Sequence, residues 1–258
     1  MPSDLLELPS PDWPSRGPSP PDDETLLIVG ARLSDWMPGD DERAARHLSA
    51  DEQRRAARFR FLDDVRRHLL GRLLVRTTIG RWTDRAPADL RIDTDAYEKP
   101  CLSDLPFQFN VSHGGDHVVA AFAREHSIGI DVEPRERKGD EGLAKSVTTA
   151  DEFQRWRNCP PDARARWFMH LWTTKESLIK ATGEGLYRDP TTIDCRFNGF
   201  QITGFRCLEP TDTDVDGGRP GDWHPRPFDI GNDGVACVTS RIAEPTTSFV
   251  RYVPPGEL

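Results

Sequence analysis

Ser49-Ala50-Asp51-Glu52 and Thr149-Ala150-Asp151-Glu152 stand one hundred positions apart, and each has the form of a capping box that opens a helix. A short apolar run precedes each of them: Leu26-Leu27-Ile28-Val29 before the first and the strand-like Ser127 to Glu133 before the second. A longer helix follows each. From Asp63, the positions Val65, Leu69 and Leu73, with Leu70 and Leu74, repeat at the spacing that buries one helical face. From about Arg164 to Thr182, Phe168, Leu171, Trp172, Leu178 and Ile179 do the same, and Gly183 and Gly185 supply the stop. The order of strand, capped helix, long helix and strands thus occurs twice. It predicts an α+β protein of two pseudo-symmetric halves, residues 25–125 and 126–258, with a ligand cleft where they meet.

Between the two repeats, Phe107 to Phe122 alternates around Gly114-Gly115 and reads as a hairpin. Gly234 to Ser240 and Ser248 to Val253 read as closing strands, and Glu209 to Pro227, rich in Pro, Gly and Asp, reads as an irregular exposed loop. Residues 1–24 are acidic and Pro-rich with no basic n-region or apolar h-region. They are expected to be a disordered tail and not a signal peptide.

The 258 residues hold 34 Lys and Arg against 43 Asp and Glu, a formal net charge of −9. That balance argues against nucleic acid or an anionic membrane as partner, and no run approaches the roughly 20 apolar residues of a membrane span. Cys101, Cys159, Cys195, Cys207 and Cys237 are odd in number and lack a C-x-x-C pair, so neither a disulfide framework nor a thiolate zinc site is expected, and a cytoplasmic location is.

The residues that could do chemistry lie in the second half. In Ile128-Gly129-Ile130-Asp131-Val132-Glu133, strand alternation puts the three aliphatic side chains on one face and Asp131 and Glu133 together on the other. At a separation of ~6.6 Å two such charges repel by roughly 2.5 kcal/mol at an effective dielectric of 20, tolerable if water or a cation shares the face. Gly129 would leave that face open to a ligand. An arbitrary D-x-E is usually the wet side of an edge strand. Here Trp172, Glu176 and Lys180 fall along one face of the long helix and add a third carboxylate and an ammonium. Three carboxylates with lysines nearby suit Mg²⁺, which takes few side chains and completes its shell with water and phosphate oxygens. There is no G-x-x-x-x-G-K-[ST] loop and no G-x-G-x-x-G turn, so a phosphate ligand must be anchored by basic and hydroxyl groups. Arg55 and Arg58 on the first capped helix, Arg66 and Arg67 on the next, Lys99, and Ser112-His113 at the hairpin are the candidates.

In this order the pieces resemble the Sfp-type 4'-phosphopantetheinyl transferase superfamily. The matching text is Phe59-Arg60-Phe61, then Arg67 and Leu69-Leu70-Gly71-Arg72; Tyr97-Glu98-Lys99-Pro100; Phe109-Asn110-Val111-Ser112-His113; Ile128 through Glu133; and Trp172-Thr173-Thr174-Lys175-Glu176-Ser177-Leu178-Ile179-Lys180-Ala181 with Gly183-Glu184-Gly185-Leu186. The resemblance spans roughly residues 25 to 200. It implies two pseudo-symmetric α+β halves with coenzyme A and Mg²⁺ in the cleft. The implied reaction moves the phosphopantetheine arm of coenzyme A to a serine of an acyl or peptidyl carrier protein and releases adenosine 3',5'-bisphosphate. By motif position Asp131, Glu133 and Glu176 are the implied metal-binding acids. Glu176 is also placed to help remove the serine proton, and Lys180 lies near the leaving phosphate. Arg55, Arg67, Lys99, Pro100, Ser112, His113 and Lys175 are the implied coenzyme A contacts. Glu98 and Gly114 stand where family members often carry glycine and serine, and Glu52 where some carry lysine.

A monomer is expected, since each half contributes to one cleft. The competing reading is a catalytically weak coenzyme A-binding scaffold within a biosynthetic assembly. Duplex binding by the Arg55 to Arg76 helices lacks interleaved aromatics and faces the net negative charge.

Overall fold

The structure is a computed structural model that describes residues 5–6, 18–95, 97–136, 140–207 and 222–252. In chain order the elements are β1 (Leu5–Leu6), β2 (Thr25–Arg32), α1 (Asp40–Ala45), α2 (Ala50–Ala56), α3 (Leu62–Thr83), β3 (Asp93–Thr94), β4 (Pro100–Cys101), β5 (Phe107–Gly114), β6 (His117–Arg124), β7 (Ile128–Pro134), α4 (Glu141–Val147), α5 (Ala150–Asn158), α6 (Pro161–Thr182), β8 (Ile193–Asn198), β9 (Gln201–Cys207), β10 (His224–Ile230), β11 (Gly234–Ser240) and β12 (Thr246–Arg251). From β2 to β6 and again from β7 to β11 the order is one strand, three helices and four strands, so the repetition extends well past the capping boxes.

Two four-stranded sheets carry the fold, in the orders β12-β2-β6-β5 and β1-β10-β11-β7. Alternation along the strands sorts their side chains into layers. Leu27, Val29, Val118, Ala120 and Phe122 pack with Leu69, Leu70, Leu73 and Leu74 of α3. Leu26, Ile28, Val119 and Ala121 meet Ile128, Ile130, Val132, Ala236 and Val238 of the other sheet. Beyond that sheet, Val235 belongs to the core formed by Phe168, Leu171 and Leu178 of α6. The layers therefore run helix, sheet, sheet, helix. Because β2 and β6 are covered on both faces, they read as continuous apolar runs.

Both capping boxes form: the Ser49 and Thr149 hydroxyls accept from the N–H groups of Glu52 and Glu152, whose carboxylates accept back from Ser49 and Thr149. The two 22-residue helices that follow end at left-handed residues, Asp84 after α3 and Gly183 after α6. Gly71 within α3 lets β5 approach, since a Cβ there would lie 3.0 Å from Val111 Cγ1.

Three expectations change. The chain ends cross between the halves: β12 pairs in parallel with β2 of the first sheet, and Leu5–Leu6, inside the expected tail, pairs with Asp229 and Ile230 of the second. The rest of residues 1–17 lies outside the described residues, whereas Pro18 lends its carbonyl to the Trp82 indole at 2.8 Å. The loop expected to run to Pro227 gives way at His224 to β10, which pairs with β11 along its whole length; residues 208–221 lie outside the described residues. Pro225 and Pro227 are two apart and so turn the same edge of the strand, and β1 covers β10 only at Asp229 and Ile230. Finally, the hairpin turn is Gly115-Asp116, since Gly114 still pairs with His117.

Among the described residues no helix is long and apolar enough to cross a membrane. Cys101, Cys159, Cys195 and Cys237 are free thiols.

Candidate active site

The two halves meet where the edges of β5 and β7 lie side by side. The contact is made by side chains of one strand on the backbone of the other. Asn110 Oδ1 accepts from Ile130 N at 2.9 Å, and Ser112 Oγ accepts from Val132 N at 3.3 Å. Gly114 completes this row of alternate positions, and a Cβ there would lie 2.3 Å from Val132 O. Helix α6 covers the other flank of β7. A Cβ on Gly129 would fall 2.0 Å from Ser177 O and 2.4 Å from Ala181 N, so this glycine is required by the packing of α6. It does not open the face to a ligand, as the strand pattern alone suggested.

Asp131 sits between these neighbours and is buried, at 5% exposure. Its Oδ1 accepts from Lys180 Nζ at 2.7 Å and from Ser112 Oγ at 2.9 Å, and Lys180 also donates to Ser112 Oγ at 2.9 Å. Its Oδ2 is buried with no hydrogen-bond partner. Burial first, and then the Asp131 charge, push the Glu176 carboxyl above the usual range; Lys180 opposes this and Glu133 adds to it. The three acids thus share one electrostatic environment. Among the described residues, however, no three His, Cys, Asp or Glu side chains stand close enough to form a closed cation cage. The all-oxygen donors and the orphaned Asp131 Oδ2 fit a hard divalent cation. The other Asp131 oxygen is taken by Lys180.

Cationic groups rim the acids. His113 keeps an exposed edge, yet the protein around its ring, and after that the Lys180 and Arg67 charges, hold its imidazole below the ordinary value. Arg67 pairs with Asp64 at 2.9 Å and donates to Gly115 O at 3.3 Å. Lys99 crosses from the first half, its Nζ donating to Ala181 O at 2.9 Å and Ile128 O at 3.3 Å, at the C-terminal end of α6 and the start of β7. Pro100, half-buried, follows in β4.

Of the expected coenzyme A contacts, Arg55 keeps an open surface position and Lys175 does not. Arg55 is on the exposed face of α2, where its charge acts on His68 and Arg72. Lys175 is fully buried on the far side of α6, with Nζ donating to Glu152 Oε2 at 2.5 Å, Val147 O at 2.8 Å and Pro190 O at 2.9 Å. All three of its N–H bonds are used inside the second half, so Lys175 is corrected from a cofactor contact to a core residue. Glu52 is likewise interior, capping α2 and receiving Arg76 Nε at 2.6 Å. Glu98 keeps the left-handed backbone that glycine favours, at φ 63°.

The sequence reading missed Asn110 as the stitch between the halves. Its signal was the polar series Asn110, Ser112, Gly114 at period two within an apolar hairpin. It also missed the clasp beyond the turn. Buried His117 meets Asp233 Oδ1 at 2.9 Å, and Arg32 bridges Asp233 at 2.7 Å and Asp116 at 3.0 Å.

Fold and site together define a two-half α+β protein whose interface sets acids beside Lys180 and other basic side chains, an arrangement suited to a metal-bridged polyphosphate. The family described as the 4'-phosphopantetheinyl transferase superfamily matches residues 127–224, and the one described as 4'-phosphopantetheinyl transferase, N-terminal, matches residues 34–125. The chain is 37% identical over 148 residues to 4'-phosphopantetheinyl transferase Sfp of Bacillus subtilis (strain 168), covering 57% of this chain and 65% of that protein. It is 36% identical over 158 residues to 4'-phosphopantetheinyl transferase psf-1 of Bacillus pumilus (58% and 67% covered) and 34% identical over 144 residues to 4'-phosphopantetheinyl transferase HetI of Nostoc sp. (54% and 61%). The similar stretch therefore spans about two thirds of the length of these relatives. The chain belongs to the 4'-phosphopantetheinyl transferase superfamily.

Proposed function

We propose that this chain is a 4'-phosphopantetheinyl transferase that moves the phosphopantetheine arm of coenzyme A to a serine of an acyl or peptidyl carrier protein, with Mg²⁺, releasing adenosine 3',5'-bisphosphate. The observation that carries this reading is the junction of β5, β7 and α6, where Lys180 holds Asp131 and Ser112 while Glu176 shares the charge environment of Asp131 and Glu133. Asp131, Glu133 and Glu176 would hold Mg²⁺, which when bound neutralises charge on the diphosphate.

The serine oxygen forms a bond to the phosphorus that bears the pantetheine arm, and the bond from that phosphorus to the bridging oxygen breaks. The electron pair leaves with adenosine 3',5'-bisphosphate. Lys180, with Arg67 behind it, supplies positive charge where the leaving oxygen becomes anionic, while His113, held below its ordinary value, offers a ring nitrogen to the ligand. Glu176 takes the serine proton directly or through water, which suffices when that proton leaves late in a loose phosphoryl transfer. Ser112 and Asp131 hold the Lys180 ammonium in place, and Lys99 ties the first half to the end of α6. Coenzyme A contacts from Arg55 and Pro100 remain part of the reading, as do a monomer and a cytoplasmic location.

Incubation with coenzyme A, Mg²⁺ and several apo carrier proteins tests it by mass spectrometry. A gain of one phosphopantetheine unit on the carrier serine is expected. Glu176→Gln is expected to abolish the gain while coenzyme A still binds. Coenzyme A binding with no gain on any carrier would favour the scaffold reading instead.

A further inference from the structure

Resting on the transferase reading, we propose that the buried Glu152–Lys175 pair is the positioning device that sets Glu176 of α6 against the acids of β7. Lys175 therefore serves the divalent cation through its neighbour Glu176, without touching coenzyme A.

Consecutive helical residues point about 100° apart, so the direction of Lys175 fixes that of Glu176. Lys175 is anchored from three directions: the carboxylate of Glu152 at the start of α5, the Val147 carbonyl at the end of α4, and the Pro190 carbonyl beyond α6. Glu152 is equally constrained, its Oε2 accepting from Thr149 N at 2.9 Å and its Oε1 from Cys195 N of β8 at 2.9 Å. Both side chains are at 0% exposure, so neither has water as an alternative partner. With three donors matched to three acceptors, rotating α6 would leave buried groups unpaired, a cost that the ordinary stripe of apolar contacts does not impose.

The first half repeats the device. Arg76 occupies the same step of α3 that Lys175 occupies of α6, each fourteen positions after the first residue. It meets Glu52, the counterpart of Glu152, and donates to Pro87 O at 2.7 Å and Leu90 O at 2.9 Å. The next residue there is Thr77, which bonds back to Leu73 O and carries no charge. In the second half the next residue is Glu176 and the fifth is Lys180, so only there does the anchor orient an acid and a cation.

The test replaces the pair by apolar side chains of similar length, Glu152→Met with Lys175→Met, so that no lone charge is buried. It compares this variant and Lys175→Arg with the unaltered protein. Mn²⁺ affinity in the presence of coenzyme A is read by electron paramagnetic resonance, and coenzyme A affinity without metal by calorimetry. The double variant is expected to melt cooperatively, to bind coenzyme A within threefold of the unaltered protein, and to lose at least fivefold in Mn²⁺ affinity. Lys175→Arg, the side chain the first half uses, is expected to recover most of that loss. A smaller loss in the double variant would leave the pair a core contact only. Coenzyme A binding weakened tenfold with Mn²⁺ affinity intact would make Lys175 a ligand contact after all. If the double variant does not fold, Lys175→Gln is read against the same two constants. An unaltered protein that binds both Mn²⁺ and coenzyme A yet modifies no carrier would reject the transferase reading alone.

Discussion

The two halves share an element order, a capped helix, a 22-residue helix and a buried ion pair, yet the acids Asp131, Glu133 and Glu176 all lie in the second. The difference begins at the edges of the sheets. In the first half β12 covers the outer edge of β2, whereas in the second the edge of β7 faces β5 and is met by the side chains of Asn110 and Ser112. A strand edge left for side chains has room for Asp131 and for the Lys180 that reaches it. The first half thus contributes an edge, His113 and Lys99, while the second contributes the acids.

The comparison can be broken most severely at the two glycines where helix meets strand. Gly129→Ala would drive a Cβ to 2.0 Å from a main-chain carbonyl of α6, and it is expected to prevent folding of the second half, seen as loss of cooperative melting by circular dichroism. Gly71→Ala meets the Val111 methyl at 3.0 Å and the Val118 methyl at 3.8 Å, both on side chains that can shift. Its packing cost is offset by the roughly 1 kcal/mol that alanine gains over glycine in a helix, so stability should change by less than about 1 kcal/mol.

The buried ion pairs come next. Removing one partner of a buried pair costs about 3–5 kcal/mol, and Glu152→Ala should fall in that range because both side chains are wholly buried. Glu52→Ala should cost less by denaturant unfolding, since the Glu52 side chain is 10% exposed and less completely removed from water than Glu152.

A third probe is Asp229 of β10. Burial works to raise its carboxyl, but the His170 and Arg166 hydrogen bonds and charges prevail and hold it at about 2. Its folded pKa is depressed, so its contribution is complete above the unfolded value near 3.9 and is lost as pH falls toward 2. Asp229→Asn should therefore lower stability by about 2 kcal/mol at neutral pH and flatten the pH dependence between pH 4 and pH 2, measured by urea unfolding.

Effects smaller than those of the buried pairs are expected in the minor hairpins, β3–β4 and β8–β9. Glu98 holds φ 63° in the first, where Gly199 holds φ 62° in the second. Left-handed backbone costs a side-chain-bearing residue about 1–2 kcal/mol, so Glu98→Gly should stabilise by about 1 kcal/mol and Gly199→Glu should destabilise by a similar amount, read as opposite shifts in Tm.

Much of this was legible in the chain. The capping boxes, the apolar stripes of α3 and α6 and the strand at Ile128 follow from local periodicity, because each is satisfied within a few residues. Strand and helix periods put Asp131 with Glu133 and Glu176 with Lys180 on shared faces, and the structure brings Asp131 and Lys180 into contact. Lys175 was misread because adjacency to Glu176 in sequence says nothing about which side of the helix meets solvent. The strand at His224 was hidden by prolines that an open edge tolerates.

By itself, then, the sequence determined the two capped helices, the two long helices, half of the strands and the twofold repetition, all properties of short segments whose spacing matches a backbone period. Only the tertiary structure decided that Gly129 is closed under α6, that Lys180 occupies one oxygen of Asp131, that Lys175 faces inward and that β12 returns to the first half. These depend on which surfaces meet across long sequence separations, where burial and hydrogen-bond completion, and not local preference, select the outcome.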